Sequence, residues 1–194
     1  MKRTKNINHD RFRKVRRYGT LTMALMAVSG AFVMTGCDEP ADQPVAMYKN
    51  SDDCVKANPS ETEQCNKAWQ RALQESDKTG PKYNSQGECT DEFGYGQCYQ
   101  THSSGGGMVY MPYPGGFMYG NHGSYSQPLY SSSRPSSPMY RSFSDASGHN
   151  YGSSISGRNI MTTRSNIAPK AATTSTVTRG GFGRSVSSHA SFGG

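Results

Sequence analysis

The stretch Ser60-Glu-Thr-Glu-Gln-Cys65-Asn-Lys-Ala-Trp69-Gln-Arg-Ala-Leu73-Gln-Glu-Ser76 carries the clearest conformational signal in the chain. Ser60 followed by Glu63 has the spacing of a capping box, and Pro59 closes the segment before it. Cys65, Trp69 and Leu73 then recur at i, i+4 and i+8, with Ala68 and Ala72 beside them. That spacing places one narrow apolar stripe on one helix face. Glu61, Glu63, Lys67, Arg71 and Glu75 take the remaining positions. The pattern predicts an amphipathic helix over 60–76, with Trp69 as the anchor of a small core. Ser51-Asp-Asp before Cys54-Val-Lys-Ala57 predicts a shorter helix upstream, and Gly80-Pro81 ends the helical region.

Four cysteines surround this helix: Cys54, Cys65, Cys89 and Cys98. An even number in an exported segment reads as two structural disulfides. No Cys-x-x-Cys occurs, which argues against both a zinc site and a thioredoxin-like redox pair. Local pairing, Cys54 with Cys65 and Cys89 with Cys98, is preferred. The first pair flanks the Asn58-Pro59-Ser60 break, and the second flanks Phe93-Gly-Tyr-Gly96, whose glycines allow a tight reversal. Nested pairing, Cys54 with Cys98 and Cys65 with Cys89, is the main rival.

Beyond Cys98 the chain turns rich in glycine and aromatics. Two short strands around the turn Ser103-Ser-Gly-Gly-Gly107 are expected, with Pro112 and Pro114 confining the second to an edge or an irregular path. Met108, Met111 and Met118 with His102 and His122 could hold Cu(I), since thioethers suit it. Interleaving with Val109, Tyr110, Tyr113 and Phe117 favours apolar packing, so no metal and no cofactor is assigned, and copper handling through 102–122 is kept as the alternative function.

Residues 121–194 contain 19 Ser and 9 Gly but few bulky aliphatics, none with a sustained period. Such a composition predicts disorder, because little apolar burial is available to offset chain entropy. Arg179-Gly-Gly-Phe-Gly-Arg184 resembles the arginine–glycine segments of RNA-binding proteins, but composition alone generates such a string. The net charge of +7 is unevenly distributed. Residues 1–36 hold eight Lys/Arg against one acid, residues 37–120 six against twelve, and residues 121–194 seven against one. The basic tail is therefore expected to fold back on the acidic half or to meet an anionic surface.

The N-terminus reads as an export signal. A basic region with Lys2, Arg3, Lys5, Arg11, Arg13, Lys14, Arg16 and Arg17 precedes an apolar run from Leu21 to Met34. That run falls short of the ~20 residues a spanning helix needs. It ends in Val33-Met-Thr-Gly36-Cys37, which resembles the lipobox of bacterial lipoproteins. The resemblance implies cleavage before Cys37 and lipidation of its thiol, palmitate included. Asp38 resembles the signal that retains enterobacterial lipoproteins in the inner membrane, on the periplasmic side; the outer membrane is the alternative. This location excludes a nucleic-acid partner and implies contact with the membrane through the lipid anchor.

No catalytic motif emerges: there is no Gly-x-Ser-x-Gly elbow, phosphate-binding loop or His-Glu-x-x-His. Taken together, the Met34-to-Asp38 junction, Cys54 through Cys65 with Trp69, Gly94-Tyr-Gly-Gln-Cys-Tyr99 and the Gly-Phe-Gly around Phe182 resemble the YgiB family of uncharacterised enterobacterial proteins. That resemblance implies no site residues. The expected organisation is a signal peptide at 1–36, a linker at 37–50, a small α+β disulfide-stabilised module at 51–120 and a disordered Gly/Ser-rich tail at 121–194. The expected role is a non-enzymatic envelope lipoprotein that binds or scaffolds an envelope protein.

Overall fold

The computed structural model describes residues 39–103, 106–178 and 181–184. Cys37 and Asp38, with the leader, lie outside the described residues. The elements run β1 (Gln43–Tyr48), α1 (Ser51–Ala57), a 3-10 turn (Pro59–Glu61), α2 (Thr62–Thr79), α3 (Gln86–Phe93), β2 (Cys98–His102), β3 (Met108–Pro112), β4 (Gly116–Gly120), β5 (Tyr125–Leu129), β6 (Arg158–Thr162) and α4 (Arg164–Ile167). Four strands form an antiparallel sheet in the order β5-β4-β1-β6, and β2 pairs with β3 in a second sheet. Among the described residues no helix is long and apolar enough to cross a membrane. The fold is small, mixed α+β and held by two disulfides, as expected.

Both bridges follow the local pairing. Cys54 and Cys65 join at 1.96 Å, and Cys89 and Cys98 at 2.01 Å. The first bridge ties α1 to α2 across the Asn58-Pro59 break. The Asn50 side chain caps α1 by accepting from the Asp53 N–H at 2.9 Å. The helix predicted from 60 starts instead at Thr62, and Ser60 sits in the 3-10 turn without a capping role. Pro59 fixes that turn, since its ring presets the backbone angle of a first turn and it has no N–H to place.

The helix buries Cys65, Ala68, Ala72, Ser76 and Thr79, while Trp69 and Leu73 are half-buried at the flanks. The stripe is thus rotated from the predicted one. Small residues face the sheet because α2 lies close against it: the Ser126 hydroxyl donates to the Ala68 carbonyl at 2.6 Å, and Tyr130 donates to Ser76 Oγ at 2.9 Å. The bulk of this layer comes from the sheet, through Tyr48, Phe117 and Tyr119, with Trp69 set against Phe117 at its edge.

Strand β1 lies inside the stretch read as a linker. It is a central strand, buried on both faces: Ala46 and Tyr48 face α2, and Val45 and Met47 face the opposite side. The tail is the larger correction. Residues described within 121–184 supply β5, β6 and α4, and they bury Leu129, Tyr130, Met139, Tyr151, Ile155, Ile167 and Phe182. Val45, Met47 and Met118 pack against Leu129, Tyr151, Ile155 and Ile167. Tyr83, Cys89 and Phe93 pack against Tyr130, Met139 and Phe182. The module is therefore not bounded at 51–120.

Polar contacts fix the same fold-back. Arg134 pairs with Asp91 at 3.2 Å, and the Lys82 ammonium donates to the Thr173 carbonyl at 2.9 Å. Glu92, almost fully buried, accepts from the Tyr83 hydroxyl at 2.7 Å and from the Gly183 N–H. The charge contrast between the two halves is thus partly satisfied inside one fold.

Candidate binding edge and its two grooves

The sequence positions that suggested copper do not converge. His102 and Met108 face each other across the β2–β3 pair and are both exposed. Met111 is fully buried, and Met118 sits in the core of the other sheet beside Met47. His122 is engaged elsewhere, with Glu61. Among the described residues no cluster of three His, Cys, Asp or Glu side chains is placed to hold a metal.

The geometry instead draws attention to β6, which sequence reasoning assigned to the disordered tail. Among the described residues it is an edge strand, hydrogen-bonded to β1 on one side only. Backbone groups alternate in direction along a strand. The Met47 carbonyl accepts from Gly157 N–H, so the odd-numbered residues of β1 aim at β6. The carbonyls of Pro44 and Tyr48 lie instead against Gly120 and Gly116 of β4. With Val45 opposite Ile160 and Gln43 opposite Thr162, those two β6 residues bond inward. Asn159 and Met161 therefore direct their N–H and C=O groups outward. The Met161 side chain is 57% exposed on this rim.

A groove of about 760 Å³ opens on the α2 face of that edge, lined by Asn159 and Met161 together with Asn58, Glu61, Tyr119 and His122. Glu61 comes from the 3-10 turn before α2. His122 comes from the β4–β5 reversal, where Asn121 and His122 both hold left-handed backbone angles, at φ 46° and 51°. Non-glycine residues pay for that conformation, and Asn and His are among those that tolerate it. The reversal sets the imidazole Nδ1 against one Glu61 carboxylate oxygen, while the Tyr119 hydroxyl donates to the other. The Tyr119 hydrogen bond, then the His122 contact, hold the Glu61 carboxyl below the usual carboxylate range. Burial, reinforced by the bond to Glu61, pushes the Tyr119 phenol up, so the pair stays carboxylate and phenol at neutral pH.

This groove offers amides, one carboxylate, one imidazole and the phenols of Tyr119 and Tyr125. Its lining contains no serine, threonine, cysteine or lysine.

A second groove, of about 470 Å³, flanks the other face of β6 and is lined by Tyr151, Arg158, Thr162 and Asn166, among others. Its wall is set by Asp145, the only acid after residue 120. That carboxylate is buried and accepts from Ser147 N–H at 2.8 Å, His149 N–H at 3.0 Å and the Tyr151 hydroxyl at 3.0 Å. The Arg158 guanidinium donates to the Tyr151 carbonyl at 2.6 Å, which ties this loop to the first residue of β6. One free strand edge thus runs between two polar grooves.

The chain is 46% identical to a UPF0441 protein of Erwinia tasmaniensis, over 96% of this chain and 90% of the relative. It is 47% identical to a UPF0441 protein of Sodalis glossinidius, over 96% and 91%. It is 43% identical to one of Klebsiella pneumoniae, over 96% and 90%. No solved structure matches it. Residues 42–193 match the family described as "Protein of unknown function (DUF1190)", a span that begins one residue before β1 and runs past Phe182. The matched span coincides with the fold rather than with the 51–120 stretch, and the chain belongs to this DUF1190/UPF0441 family of enterobacterial, YgiB-type proteins.

Proposed function

We propose that this protein is a non-enzymatic envelope lipoprotein whose folded domain binds an extended polypeptide segment of another envelope protein along the free edge of β6. The observation that carries this reading is the outward backbone of Asn159 and Met161, set between grooves on both faces of the strand. Strand addition uses such an edge for affinity and flanking pockets for alternate side chains. Soluble proteins usually protect an open edge with proline, lysine or a bulge. Strand β6 carries neither proline nor lysine, and the Arg158 guanidinium at its start is turned onto the Tyr151 carbonyl. The Thr35-Gly36-Cys37 junction and the two disulfides support a lipid-anchored protein in an oxidising compartment.

A photoreactive amino acid placed at Met161 in cells tests this. A polypeptide adduct should form in the inner-membrane fraction. It should be lost on adding Asn159→Pro, which removes an outward N–H and leaves the β1 ladder intact. Cys37→Ser should release the protein from the membrane. Absence of a polypeptide adduct, or an adduct unaffected by Asn159→Pro, would refute the assignment.

A further inference from the structure

A third cavity, of about 540 Å³, shares no lining residue with the two grooves beside β6. Lys49, just past the end of β1, stands on its rim, as does Arg141 from the segment after β5. Ser131 and Ser153 supply hydroxyls to the lining, and Tyr140 and Phe143 supply aromatic surface. The lining contains no carboxylate. Among the described residues neither Lys49 nor Arg141 has an ion-pair partner, and the Ser131 and Ser153 hydroxyls make no hydrogen bond.

The backbone holds Arg141 in place at some cost. Its φ is 54°, in the left-handed region, and its N–H donates to the Ser132 carbonyl at 3.0 Å. A long side chain held in a conformation that suits glycine is an outlier of the kind that clusters at binding sites. The guanidinium lies 5.1 Å from the centre of the Tyr140 ring, an arrangement that restrains it at the rim. Two cationic residues without ion-pair partners and two serines without hydroxyl hydrogen bonds, all lining one space, match the oxygens of a phosphoryl group, and guanidinium geometry favours such a group over a point charge. The cavity also exceeds a bare anion, and Tyr140 and Phe143 would cover an attached carbon skeleton.

We infer that this cavity is a binding site for a phosphate ester, separate from the polypeptide-binding edge. A glycerophosphate headgroup of a lipid and a soluble sugar phosphate share that chemistry.

The test titrates the oxidised full-length protein in a nonionic detergent with sn-glycerol 3-phosphate and, separately, glucose 6-phosphate, read by amide NMR shifts. Shifts should localise to Ser131, Arg141 and Ser153. Arg141→Gly should weaken binding at least tenfold. Glycine suits the left-handed position, so this variant keeps the fold, which its unchanged spectrum elsewhere will verify. Lys49→Gln should weaken binding by a smaller factor. Binding of the glycerol ester alone identifies a headgroup site, binding of the sugar ester alone a soluble ligand, and binding of both a general phosphate-ester site. No localised shift with either ester, or binding unchanged in Arg141→Gly, would overturn the assignment.

Discussion

A chain ending at residue 120 will fail to fold. Truncation there removes Leu129, Tyr151, Ile155 and Ile167 from one face of the sheet, leaving Val45, Met47 and Met118 open to water. It also strips Tyr130, Met139 and Phe182 from Tyr83 and Phe93, which are fully buried in the intact protein. Strands β4 and β1 would each lose a neighbour and become edges. Burial of a large aliphatic or aromatic side chain is worth roughly 1.5–3 kcal/mol, and whole domains are stable by only about 5–15 kcal/mol. Loss of seven such side chains exceeds the stability available. The truncated chain should show no cooperative thermal transition and collapsed amide dispersion, while the intact chain shows a cooperative transition and dispersed amides. A cooperative fold in the shorter chain would mean that the segment after 120 is an appendage.

The second large effect is expected at Phe117. Its side chain is fully buried in the layer between α2 and the sheet, 5.3 Å from Trp69 and 6.1 Å from Tyr48 between ring centres. The facing helix residues Ala68 and Ala72 are too small to fill a void left there. Phe117→Ala should therefore cost about 3–5 kcal/mol, near the upper range for core truncations. That corresponds to a fall in Tm of about 6–20 °C for a domain of this size. Tyr95→Ala is the contrasting substitution: Tyr95 is 84% exposed, and its loss should change stability by less than about 0.5 kcal/mol. Equal effects at the two positions would contradict the packing described for the α2 layer.

The elements legible in the sequence were those with local signals. Helix α2 announces itself by periodicity, the β2–β3 pair by its glycine turn, and the disulfides by cysteines placed on either side of chain reversals. The helix face was misassigned by one position, because hydropathy favours Trp69 over Ala68 whereas the close approach to β4 and β5 demands the smaller residue. Strand β1 was hidden for a different reason. Pro44-Val-Ala-Met-Tyr48 is apolar on both faces and lacks the alternation of a half-buried strand.

The C-terminal half was hidden by its chemistry. Its core mixes Tyr130, Met139, Tyr151 and Phe182 with the scattered aliphatics Leu129, Ile155 and Ile167, spaced irregularly and joined by loops. Glycines at 148, 152 and 157 turn those loops with positive φ, and the buried Asp145 carboxylate closes one of them. A search for aliphatic periodicity passes over such a core. The edge strand β6 and both of its grooves depend on this half, so the candidate site could not emerge from motifs. Glu61 and His122 lie 61 positions apart, and only the folded β4–β5 reversal brings them together.

Residue-resolved amide exchange across β6 tests the strand-addition account most directly. In the isolated oxidised protein at low concentration, the Ile160 and Thr162 amides, which bond to β1, should exchange slowly. The Asn159 and Met161 amides, which point outward, should exchange at rates near those of an unfolded chain. Binding of the polypeptide identified by the Met161 adduct should slow Asn159 and Met161 while leaving Ile160 and Thr162 unchanged. Protection of Asn159 and Met161 in the isolated protein, or no change in them when that polypeptide is bound, would contradict the account.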